Sequence, residues 1–166
     1  MVLVIPAAGR SRRAGRAWSA MEQALRQAGV THDVAWTTGP GDGSRIAAAA
    51  WQQGRARFLV AGGDGSVHDV VNGLMTAQRA HGALASPDPP RIPTLVPLPL
   101  GTGNDWSRSL ALPSDPAALA AVIRRDYAVS HDVGRIAFPA SGTTPATTGW
   151  FIHVAGPGFD APPHQT

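Results

Sequence analysis

A single arrangement occurs twice in this chain: a short apolar run, a glycine-rich turn, and the opening of a helix. The first copy is Phe58-Leu59-Val60-Ala61-Gly62-Gly63-Asp64-Gly65-Ser66, followed by Val67, Val70, Val71, Leu74 and Met75 at helical spacing. The second is Leu95-Val96-Pro97-Leu98-Pro99-Leu100-Gly101-Thr102-Gly103-Asn104-Asp105, running into Trp106-Ser107-Arg108. Ser66 is the expected N-cap of the first helix, and Asn104 or Asp105 of the second. Glycine admits positive φ and close backbone approach, and a helix N-terminus offers unpaired N–H groups to an anion. Either turn alone is also compatible with an ordinary strand-to-helix connection. Two of them after parallel strands would open at the same carboxyl edge of a sheet, where open α/β folds bind ligands.

The rest of the chain supports such a sheet. Residues 2–5 read as a buried first strand. Trp18, Met21, Leu25 and Ala28 mark a helix stopped by Gly29, and residues 33–37 read as a second strand. Ser44 is placed to cap a helix carrying Ile46, Ala49, Ala50 and Gln53, with Gly54 ending it. Residues 58–60 and 94–98 are the third and fourth strands, the latter given an irregular end by Pro97 and Pro99. The proline-rich stretch 82–93 is a loop, 116–125 a short helix, and 129–136 and 150–154 later strands around a polar hairpin-like turn at 141–149. This alternation specifies an α/β fold with an open, mostly parallel sheet and flanking helices.

Composition excludes several classes. The chain has no cysteine, so disulfides and thiolate metal sites are ruled out, and the histidines show no metal-ligand spacing. All 14 basic residues are arginine. That bias fits either a GC-rich coding sequence or contact with phosphate or anionic lipid. Without lysine no P-loop can form, so any phosphate site must be built differently. No Gly-x-Ser-x-Gly occurs, which removes the hydrolase nucleophile elbow. The N-terminal apolar run is too short for a signal peptide or a membrane span, so cytoplasm is the expected compartment. No nucleic-acid partner is implied.

Gly62-Gly63-Asp64-Gly65-Ser66 and Leu100-Gly101-Thr102-Gly103-Asn104-Asp105 resemble the two signature motifs of the diacylglycerol kinase catalytic family, which includes sphingosine kinases and bacterial lipid kinases. Weaker matches extend the resemblance over most of the chain: Pro6-Ala7-Ala8-Gly9, Thr37 with Gly41-Asp42, His131-Asp132-Val133-Gly134 and Gly158-Phe159-Asp160-Ala161. NAD kinases and phosphofructokinases share the Gly-Gly-Asp-Gly turn but not the second motif. The resemblance implies ATP and Mg²⁺ as cofactors, with Gly62, Gly63, Asp64, Gly65 and Ser66 around the phosphates and hydroxyls from Thr37 and Thr102 nearby. Ser66 stands for the commoner threonine, Asp69 for glutamate, and Ile5 and His153 for asparagines. Asp64 fits either a magnesium-linked carboxylate or a residue capping its own turn.

The resemblance further implies a nucleotide-binding α/β unit over residues 1–135 and the start of a truncated β-rich second domain over 136–166. The family's catalytic base and structural metal ligands would lie beyond the chain. The expected activity of the intact protein is transfer of the ATP γ-phosphoryl to a lipid hydroxyl at the membrane surface. The alternatives are a non-catalytic nucleotide-binding module and an NAD-kinase-like enzyme. Arg10, Arg12, Arg13 and Arg16 suit phosphate, a membrane surface or plain solvent. The run Trp150, Phe151, Ile152 and Val154 is expected to leave a strand edge open to self-association.

Overall fold

The computed structural model describes residues 2–5, 12–80, 91–143 and 145–153. Four strands form one parallel sheet in the order β2-β1-β3-β4: β1 (Val2–Ile5), β2 (Asp33–Trp36), β3 (Arg57–Gly62) and β4 (Thr94–Pro99). Helices α1 (Arg12–Gln27), α2 (Asp42–Gln52), α3 (Asp64–Ala80), α4 (Asp105–Ser109) and α5 (Pro116–Arg125) connect and flank them. The open α/β sheet expected from the sequence is what forms.

β3 explains the two-layered core. Side chains alternate across a strand, so Phe58 and Val60 join a cluster with Trp51, Val67, Val70, Val71 and Leu74, while Leu59 and Ala61 join Trp18, Met21, Leu25, Leu119 and Ile123 on the other face. Helices α2 and α3 therefore cover one side of the sheet and α1 and α5 the other. Where α2 crosses α3, Gly73 admits a close approach. A Cβ there would lie 2.7 Å from both Cα and C of Ser44 and closer still to its carbonyl oxygen.

Helix ends follow the sequence signals in part. Gly29 (φ 73°) and Gly54 (φ 90°) terminate α1 and α2 in Schellman turns, with Val30 N–H donating to Leu25 O at 2.9 Å and Arg55 N–H to Ala50 O at 2.9 Å. Asp115 caps α5, its carboxylate accepting from Ala118 N–H at 2.8 Å, with Pro116 behind it in the first turn. The expected caps of α2 and α3 are displaced. α2 starts at Asp42 after Gly41 in the left-handed region, and α3 starts at Asp64, so Ser44 and Ser66 both lie within the first turn instead of capping it.

Pro97 and Pro99 do not disturb β4, which pairs with β3 as far as Gly62 opposite Pro99. Thr94 N–H donates to Ala56 O at 2.8 Å and Leu100 N–H to Gly62 O at 3.2 Å, so alternate residues face β3. The prolines fall on the other parity, where no N–H is needed.

A separate antiparallel hairpin, β5 (Gly134–Phe138) and β6 (Thr147–Phe151), follows α5. The hairpin pattern was legible, but Thr147, Thr148 and Gly149 extend the strand into the expected turn, as β-branched threonines favour. Gly134 lies under the Phe151 ring, whose Cε1 and Cε2 would be 2.5 and 2.6 Å from an added Cβ. The outer edge of β6 is not bare at Trp150, whose backbone N–H and C=O are both taken by Asn72. Trp150 and Ile152 pack against the α2/α3 cluster, so the described part of this run is half-buried. Val154, the tail from Pro157, the segments Pro6-Ala7-Ala8-Gly9 and Gly158-Phe159-Asp160-Ala161, and residues 82–90 of the expected loop lie outside the described residues.

Candidate functional site

β3 and β4 are adjacent and parallel, so the two glycine-rich turns leave the same edge of the sheet side by side. Their backbones touch. A Cβ on Gly101 would sit 2.7 Å from Gly63 N and nearer to Gly63 Cα, and one on Gly63 would sit 3.3 Å from Gly101 Cα. None of Gly62, Gly63, Gly65, Gly101 and Gly103 has positive φ. Of the two freedoms that glycine offers, these turns use close approach.

Asp64 ties the turns together. Its Oδ2 accepts from Asp105 N–H and its Oδ1 from Trp106 N–H, both at 3.1 Å. Neither reading of the sequence anticipated this, because the carboxylate caps the helix of the other turn, not its own. Burial works to raise the Asp64 pKa, but the N–H groups of Trp106, Asp105, Asp64 itself and Asn104 outweigh it, and the carboxyl lies below its ordinary value. Gly103 leaves room for it, since a Cβ there would meet Asp64 Oδ2 at 2.9 Å.

Asn104, an expected cap, adopts the left-handed conformation (φ 57°) and makes no capping bond. Its carboxamide closes the second turn instead: Gly101 N–H donates to Oδ1 at 3.1 Å and Nδ2 donates to Gly101 O at 2.8 Å. Asp105 heads α4 and pairs with Arg108. Thr102 and Gly65 are exposed, and Ser66 is partly buried in the first turn of α3. The N–H groups of Gly65, Thr102 and Gly103 have no partner among the described residues.

Thr37 follows β2 at the same sheet edge. Ile5 pairs with Trp36 and Val4 with Val60, so Thr37 is level with Gly62, two strands or roughly 10 Å across. It is buried. Next to it, Asp42 Oδ2 accepts from the Thr38 hydroxyl at 2.6 Å and the Thr38 N–H at 2.7 Å, and Oδ1 accepts from Arg45 at 2.9 Å. Those donors, Thr38 first, hold the Asp42 carboxyl well below the usual carboxylate range. All seven residues expected to surround the nucleotide thus share one edge. Arg10 and the side chains of Arg12 and Arg13 lie outside the described residues, and Arg16 is exposed on α1.

Two residues stand out that the sequence did not assign a role. Asn72, in mid-α3, binds the backbone of Trp150, and His131 stands edge-on to Trp106 with ring centroids 5.8 Å apart, its Nε2 2.9 Å from Ile152 O. Their positions in or beside the motifs were the available signal.

Residues 1–136 match the model of the diacylglycerol kinase catalytic domain. The chain belongs to the diacylglycerol kinase catalytic domain family. Relatives include a protein named probable lipid kinase YegS-like from Chromohalobacter salexigens, 35% identical over 137 residues, and a diacylglycerol kinase from Bacillus subtilis, 31% identical over 137 residues. Each alignment covers 82% of this chain and 38% of the relative. The chain thus spans well under half the length of these kinases. A crystal structure of a diacylglycerol kinase from Bacillus anthracis superposes with a TM-score of 0.59 at 26% identity, covering 87% of this chain and 44% of that one. Membership decides among the kinase families that share the first motif. No helix among the described residues is long and apolar enough to cross a membrane.

Proposed function

We propose that this chain is the nucleotide-binding unit of an ATP-dependent lipid kinase, and that the intact protein transfers the γ-phosphoryl of ATP to a lipid hydroxyl at a membrane surface. The observation that carries this reading is the pair of glycine turns held together by Asp64 at the carboxyl edge of β3 and β4. Unpartnered amides of Gly65, Thr102 and Gly103 beside the glycine backbone of the two turns suit phosphate oxygens. Thr37, Ser66 and Thr102 supply hydroxyls at the same edge, and Gly62, Gly63 and Gly65 let the phosphates approach the backbone.

Magnesium is commonly held by one or two protein carboxylates, with phosphate and water completing its shell. Asp64 fits that role: its carboxyl lies below its ordinary value, and its partners are backbone N–H groups that leave the charge uncancelled. The ion would neutralise phosphate charge during transfer. Acceptor deprotonation needs another group, because Asp64 is engaged by backbone amides and Asp105 by Arg108. We place that group in the part of the kinases this chain does not span. With β5 beginning at Gly134, the division proposed near residue 135 falls at the start of the hairpin.

Calorimetry with Mg–ATP and Mg–ADP tests the reading, with Gly63→Asp as control. The parent chain should bind and the variant should not, since a side chain at Gly63 would press on Gly101, whose Cα lies 3.3 Å from the added Cβ, and its charge would stand beside the phosphates. Equal affinity for both would refute the assignment. Phosphorylation assays with diacylglycerol and with NAD should show transfer only to the lipid, and only in a protein that extends through a second domain.

A further inference from the structure

The hairpin is fastened to the nucleotide unit through Asn72. Its Nδ2 donates to Trp150 O at 2.9 Å, and Trp150 N–H donates to its Oδ1 at 2.9 Å. The second hydrogen of the amide goes to His68 O at 2.9 Å, one turn back on α3, which fixes the orientation of the group. Trp150 stands opposite Arg135 in the hairpin, and since its N–H and C=O both point to Asn72, the pair is one of the non-hydrogen-bonded kind. The carboxamide therefore takes the place of a third strand, one residue long, at this point of the β6 edge.

A second fastening lies beside it. His131, in the segment between α5 and β5, reaches Ile152 O with its Nε2 and packs against Trp106 of α4. Trp106 N–H is in turn held by Asp64, the first residue of α3. The contacts form a closed circuit: Asp64 to Trp106, Trp106 to His131, His131 to Ile152, Trp150 to Asn72, and back along α3 to Asp64. Both turns of the candidate nucleotide site are thereby linked to the same hairpin.

We propose that Asn72 is a positioning residue that sets the hairpin, and whatever the chain carries on it, against the nucleotide turns, so that occupation of the turns and docking of the hairpin reinforce each other. The proposal rests on reading the turns as the nucleotide site. Its first half does not depend on that reading, because the clamp consists of hydrogen bonds within the chain itself. Coupling is reciprocal: if nucleotide tightens the clamp, loss of the clamp weakens nucleotide by the same factor.

Residue-resolved amide exchange by NMR on the 166-residue chain is the test. Thr148 and Trp150 are the two outward-facing amides of β6, and among the described residues only that of Trp150 has a partner. In the free parent chain Trp150 should exchange about tenfold more slowly than Thr148 after correction for intrinsic rates, the effect of roughly 1.4 kcal/mol of hydrogen bonding. Asn72→Ala should abolish the difference. Asn72→Asp, which keeps an acceptor for Trp150 N–H but turns oxygen toward two carbonyls, should reduce it. Both variants should leave β3 exchange unchanged, which a general loss of stability would not. Saturating Mg–ATP should slow Trp150 further in the parent, and Asn72→Ala should bind nucleotide several-fold more weakly. Equal rates for Trp150 and Thr148 in the parent would overturn the clamp even if neither variant folds. Nucleotide binding with no change at Trp150 and unaltered affinity in a folded variant would overturn the coupling. Absence of calorimetric binding would instead refute the nucleotide assignment, and with it the coupling, while the Trp150 comparison still decides the clamp.

Discussion

Replacing Asp64 with asparagine removes one charge and leaves the shape of the side chain intact. Oδ1 and Oδ2 each accept one backbone N–H at 3.1 Å, so either orientation of the amide points an NH2 at a donor. One of the two bonds is lost and the other weakened. A hydrogen bond to a charged acceptor contributes about 1.5–3 kcal/mol net, so the variant should lose about 2–3 kcal/mol at neutral pH. For a domain of this size that lowers Tm by about 4–12 °C. The pH dependence follows from the direction of the shift: the Asp64 pKa is depressed in the folded chain, so its stabilisation is present above the unfolded value of about 3.9 and is lost as pH falls through the lower folded value. Thermal melts followed by circular dichroism should show the full gap between parent and Asp64→Asn at pH 7 and a shrinking gap below about pH 4. Melting within about 1 °C of the parent at pH 7, or a gap that persists in acid, would refute the cross-turn cap.

Three further outcomes are expected. Gly73→Ala should lower stability by about 2–3 kcal/mol or prevent folding, because its methyl would meet Ser44 backbone at 2.7 Å and neither helix can yield without unpacking; a melt equal to the parent would contradict the close crossing. Gly65→Ala meets nothing within 4 Å and replaces a poor helix former, so its stability should stay level or rise by up to about 1 kcal/mol while calorimetry shows weaker nucleotide binding. Chelating Mg²⁺ should reduce ATP affinity at least about tenfold, since an ionised Asp64 beside phosphate otherwise contributes repulsion of about 3 kcal/mol at 6 Å; metal-independent affinity would remove Asp64 from the phosphate site.

Much of this architecture was legible because its signals are local. Gly29 and Gly54 stop helices by φ alone, and the short helix read over 116–125 forms with those bounds. The alternation from Phe58 to Ala61 is a property of one strand. What escaped depends on distant partners. Ser44 and Ser66 have the chemistry of caps, yet α2 and α3 begin two residues earlier, where Asp42 bonds Thr38 and Asp64 bonds the second turn. Asn72 looks like any polar residue in a helix until Trp150 arrives from the far end of the chain. The glycine motif announced a backbone that something approaches. That part of what approaches Gly63 is Gly101 follows only from the adjacency of β3 and β4.

The charges along this edge have a consistent arrangement. Of the carboxylates there, the two at helix starts nearest arginines are matched: Asp42 with Arg45 and Asp105 with Arg108. Asp64 is held by backbone N–H groups alone and has no ion pair among the described residues. Partial charges on amides stabilise its anion without cancelling its field, so the junction of the two turns keeps a negative centre within reach of unpaired N–H donors. Such a surface would repel a bare polyphosphate and would accept one that brings a divalent cation. With the nearby Arg45 and Arg108 already committed, selectivity for a metal-bound nucleotide would come from Asp64 and the backbone around it, a solution open to a chain that contains no lysine.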